Sequence, residues 1–205
     1  MMRKRIGSVI LILGLLLLAA ALALFAYNLA DGRRADSAAQ EILSKLQEQM
    51  PDAHPKQDVM GEDKAPMPEI TIGNASYIGV LQIPELGLQL PVAESWSYPQ
   101  LRVSPCRFSG SWHTGDLVIC AHNYPHHFSP VKSIRPGAQV RLVASDGTVL
   151  DYEVLSRETL PPTAIEEMVD NHANSDSAAD WDLTLFTCNT GGQTRCAVRC
   201  ALITA

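Results

Sequence analysis

The pattern of apolar and polar positions divides the chain into three unlike stretches. Ile6 to Ala30 is an uncharged, almost wholly apolar run. At about 1.5 Å per residue, roughly 20 such residues cross a hydrocarbon core of about 30 Å, so the run can span a bilayer with some tilt. Next, Ala39, Ile42, Leu43, Leu46 and Met50 recur at helical spacing. They predict a short amphipathic helix, either a stalk or a helix docked on the C-terminal domain. Pro51, Pro55, Pro66 and Pro68 then stand among charged residues and read as an irregular linker. From Ile70 onward the pattern changes to short strands separated by turns. Strands are expected at Tyr77–Ile83, Leu88–Val92, Leu117–Ala121, Val140–Val143, Val149–Leu155, Leu183–Thr187 and Cys196–Ile203, with Asp146-Gly147 as a hairpin turn. Thr163–Val169 reads as a short helix, with Thr163 as N-cap and Glu166 as capping-box partner. Many short strands and few helices predict an all-β barrel or sandwich.

Charge orients the apolar run. Arg3-Lys4-Arg5 precedes it and is expected to stay in the cytoplasm, which places the C-terminal bulk outside. Arg33 and Arg34 reduce the contrast across the run. A cleaved signal peptide is the alternative, since Ala21-Leu22-Ala23 fits a small-x-small cleavage site. The apolar run continues through Leu24, Phe25, Ala26 and Tyr27, which is poor context for cleavage. Either way the domain is exported. The expected organisation is a cytoplasmic tail (1–5), a transmembrane anchor (6–30), a stalk helix and linker (31–72) and a C-terminal β domain (73–205). The net charge of −6, with no long basic run, excludes nucleic acid as a partner.

The five cysteines are Cys106, Cys120, Cys188, Cys196 and Cys200, so at least one is a free thiol. One of them gains meaning from a turn signal. If Gly191-Gly192 forms a two-residue hairpin turn, Thr190 pairs with Gln193, Asn189 with Thr194, and Cys188 with Arg195. Directly opposed Cβ atoms lie about 4.5–5.5 Å apart, so the spacing sets a guanidinium beside a thiol. Alternation then sorts two faces. Leu183, Leu185, Cys196, Val198, Cys200 and Leu202 form a core-like face. Thr184, Phe186, Cys188, Arg195, Ala197 and Arg199 form a site-like face. Taken alone, Arg195 would be a solvated strand arginine; opposite a cysteine it becomes a candidate for chemistry. The candidate base is His122, where the apolar strand Leu117–Ala121 ends, because a thiol nucleophile needs an imidazole to manage its proton.

With these residues in view, the chain resembles the sortases, the cysteine transpeptidases of Gram-positive cell surfaces. Their T-L-x-T-C signature reads here Thr184-Leu185-Phe186-Thr187-Cys188, and the arginine follows on the next strand in Arg195-Cys196-Ala197-Val198-Arg199. The histidine segment is Ala121-His122-Asn123. Phe128 and Gly137-Ala138-Gln139-Val140 match the following stretch more loosely, and Ile78 to Val92 is similar to the first two strands of the family. The resemblance spans roughly residues 77 to 203. Departures are Ala121 for the usual glycine, Ala138 for the usual aspartate, and a short Cys-to-Arg loop. No D-P-aromatic lid motif of the kind found in many pilin-building sortases stands out.

The resemblance implies a closed, mainly β sortase-like barrel with short helices behind an N-terminal transmembrane helix. It implies cleavage of an LPXTG-like sorting signal on exported proteins through a thioacyl-enzyme, with transfer to an amine of a cell-wall precursor or a pilin lysine. Cys188 would be the nucleophile, His122 the acid/base, and Arg195 the oxyanion or substrate donor. Thr187 would pack beside the nucleophile. No cofactor or metal is required. A hydrolytic thiol protease differs only in its acyl acceptor. Two other readings are a zinc protein using Cys120, His122, His126 and His127 with His113 nearby, and a non-catalytic anchored surface module.

Overall fold

The computed structural model describes residues 2–55, 66–169 and 181–203. The expected linker lies partly outside these residues, at 56–65. Helix α1 runs unbroken over Met2–Gln49. The expected short stalk helix is therefore the C-terminal part of one longer helix that also contains the apolar run. No proline interrupts α1, and Pro51 stands just past its end. Exposed leucines and isoleucines cover it from Val9 to Leu29, whereas Ala35, Ala39, Leu43 and Leu46 are buried against the barrel. Their spacing of three and four residues is that of one helical face.

The strands are β1 (His54–Pro55), β2 (Ile70–Ile72), β3 (Ala75–Ile83), β4 (Leu88–Ala93), β5 (Cys106–Ser109), β6 (Leu117–Cys120), β7 (Gln139–Ala144), β8 (Thr148–Leu160), β9 (Leu183–Cys188) and β10 (Arg195–Leu202). Two short helices join them, α2 (Tyr98–Leu101) and α3 (Ile165–Val169). The sheet runs β8-β10-β9-β6-β5-β4-β3, and β7 pairs with both β3 and β8. That last pairing closes an eight-stranded barrel, with β1 and β2 added at its margins. Closure leaves the eight strands no long free edge. All seven strands expected from the sequence are present, within a few residues at most ends. β8 extends five residues beyond expectation, to Leu160. β5 was not expected: Pro105 and Gly110 bracket a four-residue stretch without alternation. Helix α3 begins at Ile165 rather than at Thr163, so Thr163 stands two residues ahead of the helix. The Ile165 N–H meets the Thr163 carbonyl, not its hydroxyl.

The Asp146-Gly147 turn forms as expected. The Gly147 N–H donates to the Ala144 carbonyl and Asp146 Oδ1 accepts from the Thr148 N–H. Gly147 has φ +87°, and a Cβ there would stand 2.6 Å from the Asp52 carbonyl oxygen. Glycine therefore serves both the turn and the close approach of the chain after α1.

Two packed layers result. The barrel interior holds Ile78, Leu81, Leu117, Ile119, Phe128, Val140, Leu142, Leu183, Leu185, Cys196, Val198 and Cys200. A second cluster lies on the opposite face and includes Leu43, Leu46, Val80, Cys106, Val118, Cys120, Leu160, Met168, Phe186 and Ala197. The core-like face of β9 and β10 is inward, as expected. The site-like face differs from expectation: Thr184, Phe186, Ala197 and Arg199 on it are all buried. β10 is flanked by both β8 and β9, and the chain after β8 folds back so that α3 lies over β9. That face is thus a second core, and of its residues named above Cys188 and Arg195, at its end, are the ones not fully buried.

Arg199 holds this cover in place. It is 2% exposed. Nη1 donates to Thr184 Oγ1 at 2.9 Å and to the Met168 carbonyl, and Nη2 to Glu158 Oε2 and the Glu167 carbonyl. The guanidinium stacks on Trp181, 4.5 Å from the ring centroid. Lysine keeps the charge but not this planar fork. Arg199→Lys is expected to destabilise the protein by about 2–3 kcal/mol, as buried acceptors lose charged donors. Denaturant unfolding monitored by Trp fluorescence checks this, with acylation per folded molecule expected to stay near the parent value.

Candidate active site

Register brings the predicted pair together. β10 pairs antiparallel with β9, and Arg195 is the partner of Cys188. The Asn189 N–H donates to the Thr194 carbonyl at 2.9 Å, and Asn189 Nδ2 to Thr194 Oγ1 at 2.9 Å. The tight turn sits one residue earlier than Gly191-Gly192. Its hydrogen bond runs from the Gly192 N–H to the Asn189 carbonyl, with Gly191 at φ +84°. A positive φ at the third position is the requirement of a type II turn, which glycine meets without strain. Cys188 and Arg195 are both half-buried, unlike the strand residues behind them.

His122 reaches the same end of the sheet from β6. β6 runs parallel to β9, with Cys120 level with Phe186. The Ala121 N–H donates to the Phe186 carbonyl, and Thr187 Oγ1 donates to the Ala121 carbonyl at 2.8 Å. Carried two residues on, this register sets His122 level with Cys188. Thr187 is buried and stitches the two strands together next to the thiol. Beyond His122 the chain folds back, and the His122 carbonyl accepts from the Phe128 N–H. Phe128, wholly buried in the barrel, pins that loop.

The electrostatics separate the thiols. Burial pushes Cys106 up to about 12 and raises Cys120 and Cys200 further still. These three are protonated and inert at neutral pH. Cys188 is the one cysteine that is not buried. Burial is also the main reason His122 holds its proton more weakly than a free histidine. Arg102 adds to that effect, and Asp31 opposes it. The Arg195 fork folds onto its own hairpin, with Nη1 donating to the Gly192 carbonyl at 2.9 Å and the Thr194 carbonyl at 3.2 Å. Among the described residues, Nε and Nη2 have no partner, so they can serve an incoming oxygen.

The residues of the zinc reading do not converge. Cys120 packs in the second cluster, His127 is wholly buried, and His126 is exposed. Among the described residues, no three His, Cys, Asp or Glu side chains are grouped to hold a metal ion. Two neighbours of His122 had no signal in the sequence. Arg102 ends α2, and Asp31 lies on α1, 93 residues from its partner Tyr124.

A closed β-barrel with a half-buried cysteine at a strand end, an arginine opposite it and a histidine just past the end of the adjoining strand fits a cysteine enzyme of the acyl-transfer type. The family model described as Sortase domain matches residues 81–203, and the chain belongs to the sortase family. It is a sortase-type cysteine transpeptidase. Solved structures share the fold. Sortase C1 from Streptococcus suis is 24% identical, with a TM-score of 0.51, over 63% of this chain and 74% of that one. Sortase D5 from Clostridium perfringens is 17% identical, with a TM-score of 0.53, over 81% and 89%. Sortase E from Streptomyces avermitilis is 24% identical, with a TM-score of 0.53, over 62% and 88%. No curated protein matches the sequence.

Proposed function

We propose that this chain cleaves an LPXTG-like sorting signal on exported proteins and transfers the acyl fragment to an amine, with Cys188, His122 and Arg195 as its catalytic residues. The observation that carries this reading is the pairing of Cys188 with Arg195 while the β6–β9 register leads to His122. Cys188 gives its proton to His122, and Sγ attacks the carbonyl carbon between Thr and Gly of the signal. The C–N bond breaks, and His122 delivers a proton to the departing amine. Arg195 donates to the oxygen that gains charge. A second amine then attacks the thioacyl carbon, His122 takes its proton, the C–S bond breaks, and that proton passes to sulfur to restore the thiol. The acceptor is a cell-wall precursor amine or a pilin lysine; the lack of a D-P-aromatic lid motif favours the former.

Helix α1 holds a candidate single membrane span within Gly7–Gln49, and we place it at residues 6–30. With Arg3-Lys4-Arg5 inside, the span places the barrel on the outer face of the membrane, near substrates that arrive by export. The full-length protein should convert a sorting-signal peptide to a thioacyl-enzyme visible by mass spectrometry. Added amines should then yield an amide product. Acceptor-independent hydrolysis as the sole product would defeat the transfer reading. No adduct with any peptide of a varied panel would defeat the substrate reading.

A further inference from the structure

Helix α1 meets the barrel at the histidine loop. Asp31, the first residue after the apolar run, accepts a hydrogen bond from Tyr124 Oη at 2.6 Å. The Tyr124 ring lies against the His122 imidazole, with centroids 5.1 Å apart and planes at 47°. On its other side it meets the buried His127 ring at 5.5 Å. The helix comes this close because its facing residues are small. Gly32 and Ala35 are buried, and a Cβ on Gly32 would stand 3.7 Å from Pro125 Cδ. Among the described residues, nothing hydrogen-bonds the His122 ring itself. Tyr124 is thus a ring contact of His122, and Asp31 is the hydrogen-bond partner of Tyr124.

We propose that Asp31 is a positioning residue for His122, acting through Tyr124, so that the membrane-proximal turn of α1 is a working part of the active site. This rests on the reading of His122 as the acid/base. A tyrosine hydroxyl given to a carboxylate is a charge-assisted, short and directional bond, and it fixes the ring that the imidazole packs on. A catalytic imidazole must be held in near-attack geometry, where a shift of about 1 Å can cost about a hundredfold in rate. The charged and titratable groups around the loop are Tyr124, His126 and His127 on the loop itself, Arg102 at the end of α2, Cys188 on β9, Arg195 on β10, and Tyr27, Asp31 and Asp36 on α1. Burial first and Arg102 second weaken the hold of His122 on its proton, and Asp31 opposes both. Losing the Asp31 charge therefore moves His122 deprotonation to lower pH.

The test uses full-length protein in detergent micelles: Asp31→Asn, Asp31→Glu, Tyr124→Phe and the Asn/Phe double variant. Glu41→Gln, on the exposed side of the same helix, is the control. Two quantities are read: kcat and KM for peptide cleavage, and the pH profile of iodoacetamide alkylation of Cys188, which needs no peptide. Asp31→Asn and Tyr124→Phe should each lower kcat roughly tenfold, with KM within about twofold. The double variant should be no worse than either, since both changes cut one chain of contacts. Asp31→Glu should recover most of the rate, and Glu41→Gln should match the parent. The alkylation midpoint governed by His122 should shift to lower pH in Asp31→Asn. An unshifted profile in Asp31→Asn overturns the proposal, whether kcat holds or falls together with melting temperature. So does a double variant whose loss is the product of the two single losses. If no peptide is cleaved by the parent but the midpoint still shifts, the substrate reading falls and the positioning role stands.

Discussion

Cys188→Ala is expected to abolish thioacyl-enzyme formation while leaving the melting temperature within about 2 °C of the parent. The two outcomes separate because Cys188 sits half-buried at the end of β9, where removal of one sulfur leaves no sealed cavity. Cys196 and Cys200 present the opposite case. They are 3% and 0% exposed and line the barrel interior. Cys196→Ala and Cys200→Ala should each cost about 1 kcal/mol through the space they leave, with acylation per folded molecule retained. Cys120 is the strictest control, since it lies on the neighbouring strand and on the same face as Phe186 and Cys188. Burial keeps its proton on, so Cys120→Ala should still form the adduct. Mass spectrometry of each variant after incubation with peptide decides the matter. An adduct that disappears in Cys120→Ala and persists in Cys188→Ala would reassign the nucleophile.

Arg195→Lys is expected to slow acylation by about 10²–10³, the range for loss of one oxyanion donor. On the proposed assignment the arginine has two tasks at once. Nη1 ties the side chain to the Gly192 and Thr194 carbonyls, and the remaining nitrogens are left to meet substrate. An ammonium group has donors but no rigid fork, so it cannot keep the tether and the aim together. Single-turnover measurement isolates the step in which the oxygen gains charge. Arg199→Lys is the comparison: its loss should be read in stability, not in the acylation rate. An equal acylation defect in the two variants would mean that Arg195 is not the donor.

The hairpin shows how far sequence spacing reaches. Gly191-Gly192, flanked by alternating residues, was sufficient to pair Cys188 with Arg195, and the register holds even though the turn's hydrogen bond falls one residue earlier. The strand end that carries His122 was equally legible, because Leu117 to Cys120 is a compact apolar run. What lies between these elements was not. The alternation on β9 and β10 separates two faces but does not say what covers each one, and the cover on the Phe186 face comes from α3 and α1. Arg199 has the local pattern of an exposed strand residue and becomes the centre of a buried network only when residues 158–168 fold over it. Helix α1 hid its contact for a related reason. Gly32 and Ala35 carry almost no hydrophobic signal, and it is their smallness that lets the helix close on the loop.

The unbroken course of α1 has a mechanical consequence. A domain on a flexible tether explores a hemisphere above the membrane, with a reach that grows with tether length. A helix that leaves the bilayer and docks within its next turn allows no such search. If residues 6–30 cross the membrane as proposed, the Tyr124–Asp31 contact holds the histidine loop near the lipid headgroups. The enzyme then samples its surroundings by lateral diffusion in two dimensions. On that placement, a bond it cuts would have to be presented close to the bilayer surface, by a substrate that is itself held near the membrane.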